Sequence, residues 1–197
     1  MPGVFQTLVP TRFGGLGTPA ERVSPCMANK NTTSTMTDPL RILRADHREA
    51  EQLLTRLSDS EEGAERESMI QELSEKLSLH MQLEEQMLYP LIAQCVGAED
   101  EEEANIEHGL AREGLEKMTS MSTVPGFGAA VEMLKGGILH HVEEEEKEIL
   151  PALRDAMDRD EWRALGEQLV AAKEAAGQPV KSSSSNGRRS GKRKKAA

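Results

Sequence analysis

Aromatic residues are scarce. The chain of 197 residues holds one Trp, one Tyr and three Phe. Its apolar content is mainly Leu, Ala and Met, which together with Glu and Lys favours helices over sheets. Cysteine is nearly absent: Cys26 and Cys95 stand far apart and form no CxxC pair. That argues against a disulfide framework and fits a reducing, cytoplasmic compartment better. No apolar run is long enough to cross a bilayer, so no membrane partner is expected. The chain also lacks HExxH, a glycine-rich phosphate loop and GxSxG. Metalloprotease, nucleotide and α/β-hydrolase chemistry therefore have no motif to rest on.

Acid is abundant, and it is unevenly spread. The formal net charge is -10. Residues 181–197 carry seven Lys and Arg and no acid, whereas residues 38–180 carry 14 basic and 33 acidic side chains. An acidic body repels nucleic acid, so a nucleic-acid or protein contact would have to run through the basic tail. Residues 1–37 are rich in Gly, Pro, Ser and Thr without periodicity and read as a disordered arm. Residues 177–197 read as a disordered basic tail. The segment 38–176 between them is long enough for one domain with a full core.

Apolar residues in that segment recur at helical spacing. The first helix is expected to start at Asp38-Pro39 and to turn Leu40, Leu43, His47, Ala50, Leu54 and Leu57 inward. The second is expected from about Ala64 to Cys95, with Ile70, Leu73, Leu77, Met87 and Leu91 inward and Pro90 kinking it. The third presents Ala104, His108, Ala111, Leu115 and Met118. The fourth, about Phe127 to Met157, presents Val131, Leu134, Ile138, His141, Glu145 and Ala152. A shorter fifth helix carries Trp162, Leu165 and Leu169. The fold class is therefore all-α: an antiparallel up-down four-helix bundle with a short C-terminal helix and disordered termini.

Polar residues interrupt these inward stripes, and they do so twice in the same way. His80 and Glu84 are one turn apart on one helix face, in the middle of an apolar stripe. An unpaired carboxylate there would cost several kcal/mol or take up a proton. An offset of 61 carries His47 onto His108, His80 onto His141, Glu84 onto Glu145, Glu85 onto Glu146 and Pro90 onto Pro151. Two such hairpins bring four histidines and two carboxylates into one layer. A single HxxxE is usually an exposed pair, and a lone inward His is usually a satisfied core residue; the repeat is what separates this set from both. His140 points about 100° away from His141 around its helix and belongs at the surface or behind the ligands. Imidazoles with bridging carboxylates suit iron, manganese or zinc, and four neutral histidines favour iron over magnesium or calcium. Two ions sharing Glu84 and Glu145 would use all six side chains and neutralise both carboxylates.

The pattern resembles the haemerythrin-like (HHE cation-binding) domain family over residues 38 to about 175. The resemblance rests on His47 in LRADHREAEQLL, His80 and Glu84 in LHMQLEEQMLYPLI, His108 in IEHGLAREGL, and His141 and Glu145 in HHVEEEEKEILPAL. It implies two non-haem iron ions with an oxo or hydroxo bridge, able to bind dioxygen. On that reading the four histidines are terminal ligands and the two glutamates bridge. Oxygen-carrying members have a second histidine one turn after the helix-three ligand, where this chain has Arg112, and His-x4-Asp on the last helix, where it has His-x3-Glu. Both differences resemble the bacterial and iron-sensing branches. They point away from simple oxygen transport toward sensing of oxygen, nitric oxide, redox or iron state. Arg112 is expected to meet Glu51, the repeat-equivalent position on the first helix. The alternatives are a di-iron oxidoreductase consuming peroxide or nitric oxide, and an iron-dependent interaction module. No catalytic residue is assigned.

Overall fold

A computed structural model describes residues 37–180 of the chain. The arm expected over 1–37 and the tail expected over 177–197 lie outside it, apart from Thr37 and residues 177–180. All regular structure among the described residues is helical. It comprises α1 (Pro39–Ser58), α2 (Ala64–Leu83), α3 (Tyr89–Cys95), α4 (Ala98–Ser120), α5 (Phe127–Glu144), α6 (Leu150–Ala156) and α7 (Arg159–Ala175). A π-helical turn, Glu84–Leu88, joins α2 to α3, and a second, Glu145–Ile149, joins α5 to α6. The chain thus runs as four antiparallel rods and one shorter helix.

The rods close a ring. α1 packs against α2 and α5, and α4 packs against α5 and α3. Helix α7 lies against α1 and α2. Pro39 opens α1, but the Asp38 side chain does not cap it; its Oδ1 accepts the Trp162 indole N–H at 3.0 Å and ties α7 to the start of α1. Gly166 lets this contact close, since a Cβ there would stand 1.7 Å from the Thr37 carbonyl oxygen. Asp158 caps α7 in a reciprocal box with Glu161.

The π turns explain where the expected stripes fail. In each, the N–H after the turn bonds five residues back: Tyr89 to the Glu84 carbonyl, Leu150 to the Glu145 carbonyl. A proline follows at once in both rods, where an unbroken α-helix would set its ring against a carbonyl one turn back. The extra residue advances the register by one. Leu88 and Ile92 are fully buried, while Met87 and Leu91 are only half-buried. Ala152, expected inward, is exposed, and Leu150 and Leu153 fill the core instead.

Two apolar clusters fill the bundle, one from Ala50 and Leu77 to Val142, the other around Leu43, Leu88, Leu153 and Trp162. Between them lies a polar layer. No helix among the described residues is long and apolar enough to cross a membrane. Cys95 is disulfide-bonded, which departs from the expectation of unpaired thiols.

Candidate metal centre

Each rod delivers its polar residues between one apolar cluster and the other. His47 follows Leu43 by one turn on α1, and His108 follows Ala104 on α4; both rings are buried. His80 and His141 come from the last turns of α2 and α5, and Glu84 and Glu145 begin the π turns that follow. The two glutamates are 0% exposed. All six residues singled out from the sequence face this one layer.

Their ring nitrogens and carboxylate oxygens converge. Nε2 of His47 stands 3.1 Å from Nε2 of His80, and Nε2 of His108 stands 3.2 Å from Nε2 of His141. Glu84 reaches both pairs: its Oε2 lies 3.1 Å from His80 and 3.3 Å from His108, and its Oε1 lies 3.9 Å from His47. Glu145 Oε2 lies 3.4 Å from His47 and 3.8 Å from His141. Two groups with metal-ligand spacing result: His47, His80, Glu84 and Glu145, and Glu84, His108 and His141.

The outward nitrogens are held by a second ring of carboxylates. His47 Nδ1 donates to Glu146 Oε1 at 2.9 Å, and His108 Nδ1 donates to Glu85 Oε1 at 3.0 Å. His141 Nδ1 donates to Glu107 Oε2 at 2.8 Å, whereas His80 Nδ1 stands 3.6 Å from Asp46 Oδ2, too far for a hydrogen bond. Such carboxylates fix the tautomer and aim the Nε2 lone pair inward. Sequence reasoning noted Glu85 and Glu146 only as repeat partners and missed Asp46 and Glu107. The signal was present, since 61 residues also separate Asp46 from Glu107.

These groups fit a cation. With Nδ1 as donor in His108 and His141, two Nε2 lone pairs face each other at 3.2 Å. Neither oxygen of Glu84 or Glu145 receives a hydrogen bond, although all four atoms are buried. Buried carboxylate oxygens left in this state are costly unless positive charge compensates them. The protein's own groups answer partly by holding protons. Burial disfavours charge on His80, but Glu84 and Asp46 outweigh it and hold its pKa up to about 9. His47 is likewise raised against the cost of burial by Glu145, Glu146 and Glu84. Burial would raise Glu84, yet the rings of His80, His108 and His47 hold it well below the usual carboxylate range. Two divalent ions in place of those protons would satisfy oxygens and nitrogens together.

Three further placements bear on the site. Arg112 does not meet Glu51; its guanidinium pairs with Glu85 at 2.6 Å and so steadies the carboxylate behind His108. Glu51 faces Arg48 instead, because α1 and α4 stand diagonally across the ring and Arg112 lies beside the second rod. Arg48 donates to Glu146 at 2.9 Å in the matching role behind His47. His140 is 63% exposed and stands 3.6 Å from Glu107 and 3.5 Å from Glu144, outside the layer. Tyr89, unnoticed in the sequence, is buried with its hydroxyl 2.9 Å from His108 Nε2.

A helical bundle with a twofold-repeated, buried His/Glu layer defines a cation-binding domain of the bundle type. The sequence profile of the Hemerythrin HHE cation binding domain matches residues 38–153, and the chain belongs to that family. A relative described as a DNA nickase, from Nostoc sp. (strain PCC 7120 / SAG 25.82 / UTEX 2576), is 26% identical over 133 residues. That match takes in 67% of this chain but only 38% of the relative's length. No solved structure matches the chain.

Proposed function

We propose that this chain is a non-haem di-iron protein that binds dioxygen or senses oxygen, nitric oxide, redox or iron state. The observation that carries the reading is the pair of fully buried glutamates whose oxygens find no hydrogen bond, each facing histidine nitrogens from more than one helix. His47, His80, His108 and His141 would hold the ions terminally, and Glu84 and Glu145 would lie between them. Iron supplies a redox-active centre open to small ligands.

The chain's own residues do the rest. Glu146, Glu85 and Glu107 orient three of the rings through Nδ1 and so aim Nε2 into the layer. The apolar clusters above and below bury the layer between them. Tyr89 holds a proton beside His108, and burial followed by the surrounding carboxylates pushes its pKa well up. That hydroxyl supports the oxidoreductase reading as the second choice. Nicking of DNA is not carried over: residues 38–180, with 33 acids against 14 bases, repel a polyanion.

The test is metal analysis of aerobically purified protein together with its visible spectrum. About two irons per chain with an oxo-bridge charge-transfer band are expected. Less than one iron and no band would overturn the reading. Turnover of hydrogen peroxide or nitric oxide, abolished by His80→Ala, would favour the enzyme over the sensor.

A further inference from the structure

The 61-residue repeat also shows where the two hairpins differ beside the layer. On the α1–α2 seam Lys76 donates to Glu49 at 2.9 Å and stands 3.9 Å from Glu72. The end of α7 lies over the same side: Lys173 donates to Asp46 at 2.7 Å, and Gln178 donates to the Glu75 carbonyl at 3.2 Å. The offset carries Glu49, Glu72 and Lys76 onto Leu110, Met133 and Gly137. Three charges in one seam become two apolar side chains and a glycine in the other. Leu110 and Met133 are 61% and 80% exposed. A Cβ built on Gly137 meets nothing within 4 Å. Deeper in the same seam Gly114 replaces Leu53, and its Cβ would stand 3.0 Å from Leu134.

A cavity of about 1220 Å³ joins this seam to the layer, lined by all four inward histidines and by Leu110, Met133 and Gly137. On the α1–α2 side its lining is the paired Lys76 and Lys173 and residues 177–180. We infer that the α4–α5 seam is the entrance through which a small uncharged ligand reaches the His/Glu layer, and that the α1–α2 seam is shut. The inference deepens the proposed function and rests on its reading of the ligand as a small neutral molecule. Glu107, Glu113, Lys117 and His140 also border the cavity on this side, but between them an ion would lose several kcal/mol of hydration in passing Leu110 and Met133. A diatomic gas loses almost none. Gly137 sets the width, because any side chain there occupies the open space.

Two measurements test it. The first needs no iron: crystals of the whole chain are pressurised with xenon, which fills apolar cavities. Xenon between α4 and α5 near Gly137, lost in Gly137→Leu, is the expected result. No xenon there, or xenon under Lys76 instead, would overturn the inference. Replacing a helical glycine by leucine favours the helix, so the variant should fold; Gly137→Ala gives a graded intermediate. The second is stopped-flow mixing of the iron-loaded protein with nitric oxide. Gly137→Leu should slow association by about tenfold or more while Lys76→Met leaves it unchanged. Equal effects of the two variants would overturn the entrance. If the protein takes up no iron, the proposed function falls, and the xenon result alone judges the entrance.

Discussion

The first hairpin and the second are built on the same 61-residue frame, and they agree where the layer is and disagree around it. Both give two histidines, one buried glutamate, a π turn and a proline. Around that constant set, the first hairpin is bound up in ion pairs: Lys76 with Glu49, Lys173 with Asp46. The second sets Leu110, Met133 and Gly137 at the matching places of its seam and carries Tyr89 of the other hairpin against His108, where Leu150 stands in the repeat-equivalent place. A duplicated frame therefore does not make two equal half-sites. It makes one closed and one open, with different outer partners on chemically identical rings.

The comparison breaks hardest at the residue that belongs to both halves. Glu84 stands within 3.3 Å of one histidine in each pair, whereas Glu145 comes no closer than 3.4 Å to any ring. Glu84→Gln should reduce bound metal from about two ions to fewer than one, while Glu145→Gln retains about one, by analogy with losing all or part of a shared ligand set. Metal counted by mass spectrometry of the native protein reads this directly. Equal losses in both variants would mean that the halves share their glutamates evenly.

Next in size is the pH response of the chelator-treated protein. The folded pKa of His80 is raised from 6.5 to about 9, so its contribution is complete below the unfolded value and vanishes as pH rises through the folded one. His47 has the same sign. Glu84 is depressed from 4.5, so its contribution holds above that value and fades as pH falls. Stability without metal should therefore peak between about pH 4.5 and 6.5 and fall toward pH 9, by on the order of 2–3 kcal/mol for His80. Metal-loaded protein should do the reverse over pH 6–8, because the ions need deprotonated rings. Thermal melts across pH, with and without metal, check the crossing of the two curves.

How much of this was legible in the sequence depends on which residues are asked. The layer was legible because His47, His80, His108 and His141 repeat, and four of five histidines obey one offset. Helix order and the core of α1 followed from the spacing of Leu43, Leu54 and Leu57. The stripes beyond Glu84 and Glu145 were not legible. An α-helical period runs through Met87, Leu91 and Ala152, and only the i→i+5 bonds of the π turns shift burial to Leu88, Ile92 and Leu153. Proline announced a disturbance without its form. Arg112 was assigned by analogy with its repeat position, but side chains as long as arginine reach across rods, and Glu85 was the nearer carboxylate. Asp46 and Glu107 were missed because polar residues beside a ligand look like ordinary solvated acids.

Those two acids sharpen the comparison at a smaller scale. Glu107 holds His141 at 2.8 Å, while Asp46 stands 3.6 Å from His80. Glu107→Gln should weaken metal binding in its half by about 10–100-fold, the usual cost of losing a carboxylate behind a ligand histidine. Asp46→Asn should cost distinctly less. Competition with a calibrated chelator separates the two.

The smallest effect is expected at Lys173, and its direction is the informative part. The buried ammonium donates to Asp46 Oδ2 at 2.7 Å, the same oxygen that stands off His80 Nδ1. Lys173 holds that oxygen at hydrogen-bond distance, and His80 Nδ1 is left 3.6 Å from it. Helix α7 thus holds the first half's carboxylate from the far side, while among the described residues the second oxygen of Glu107 faces the exposed His140 at 3.6 Å. In Lys173→Met the methionine keeps the packing volume and frees Asp46 to turn to His80. Global stability should fall, since a buried ion pair has lost one member. Metal affinity of the first half should nonetheless rise a few-fold, bringing the two halves closer together in chelator competition. A variant that loses stability and affinity together would show that Lys173 only fastens α7 to α1 and has no hold on the layer.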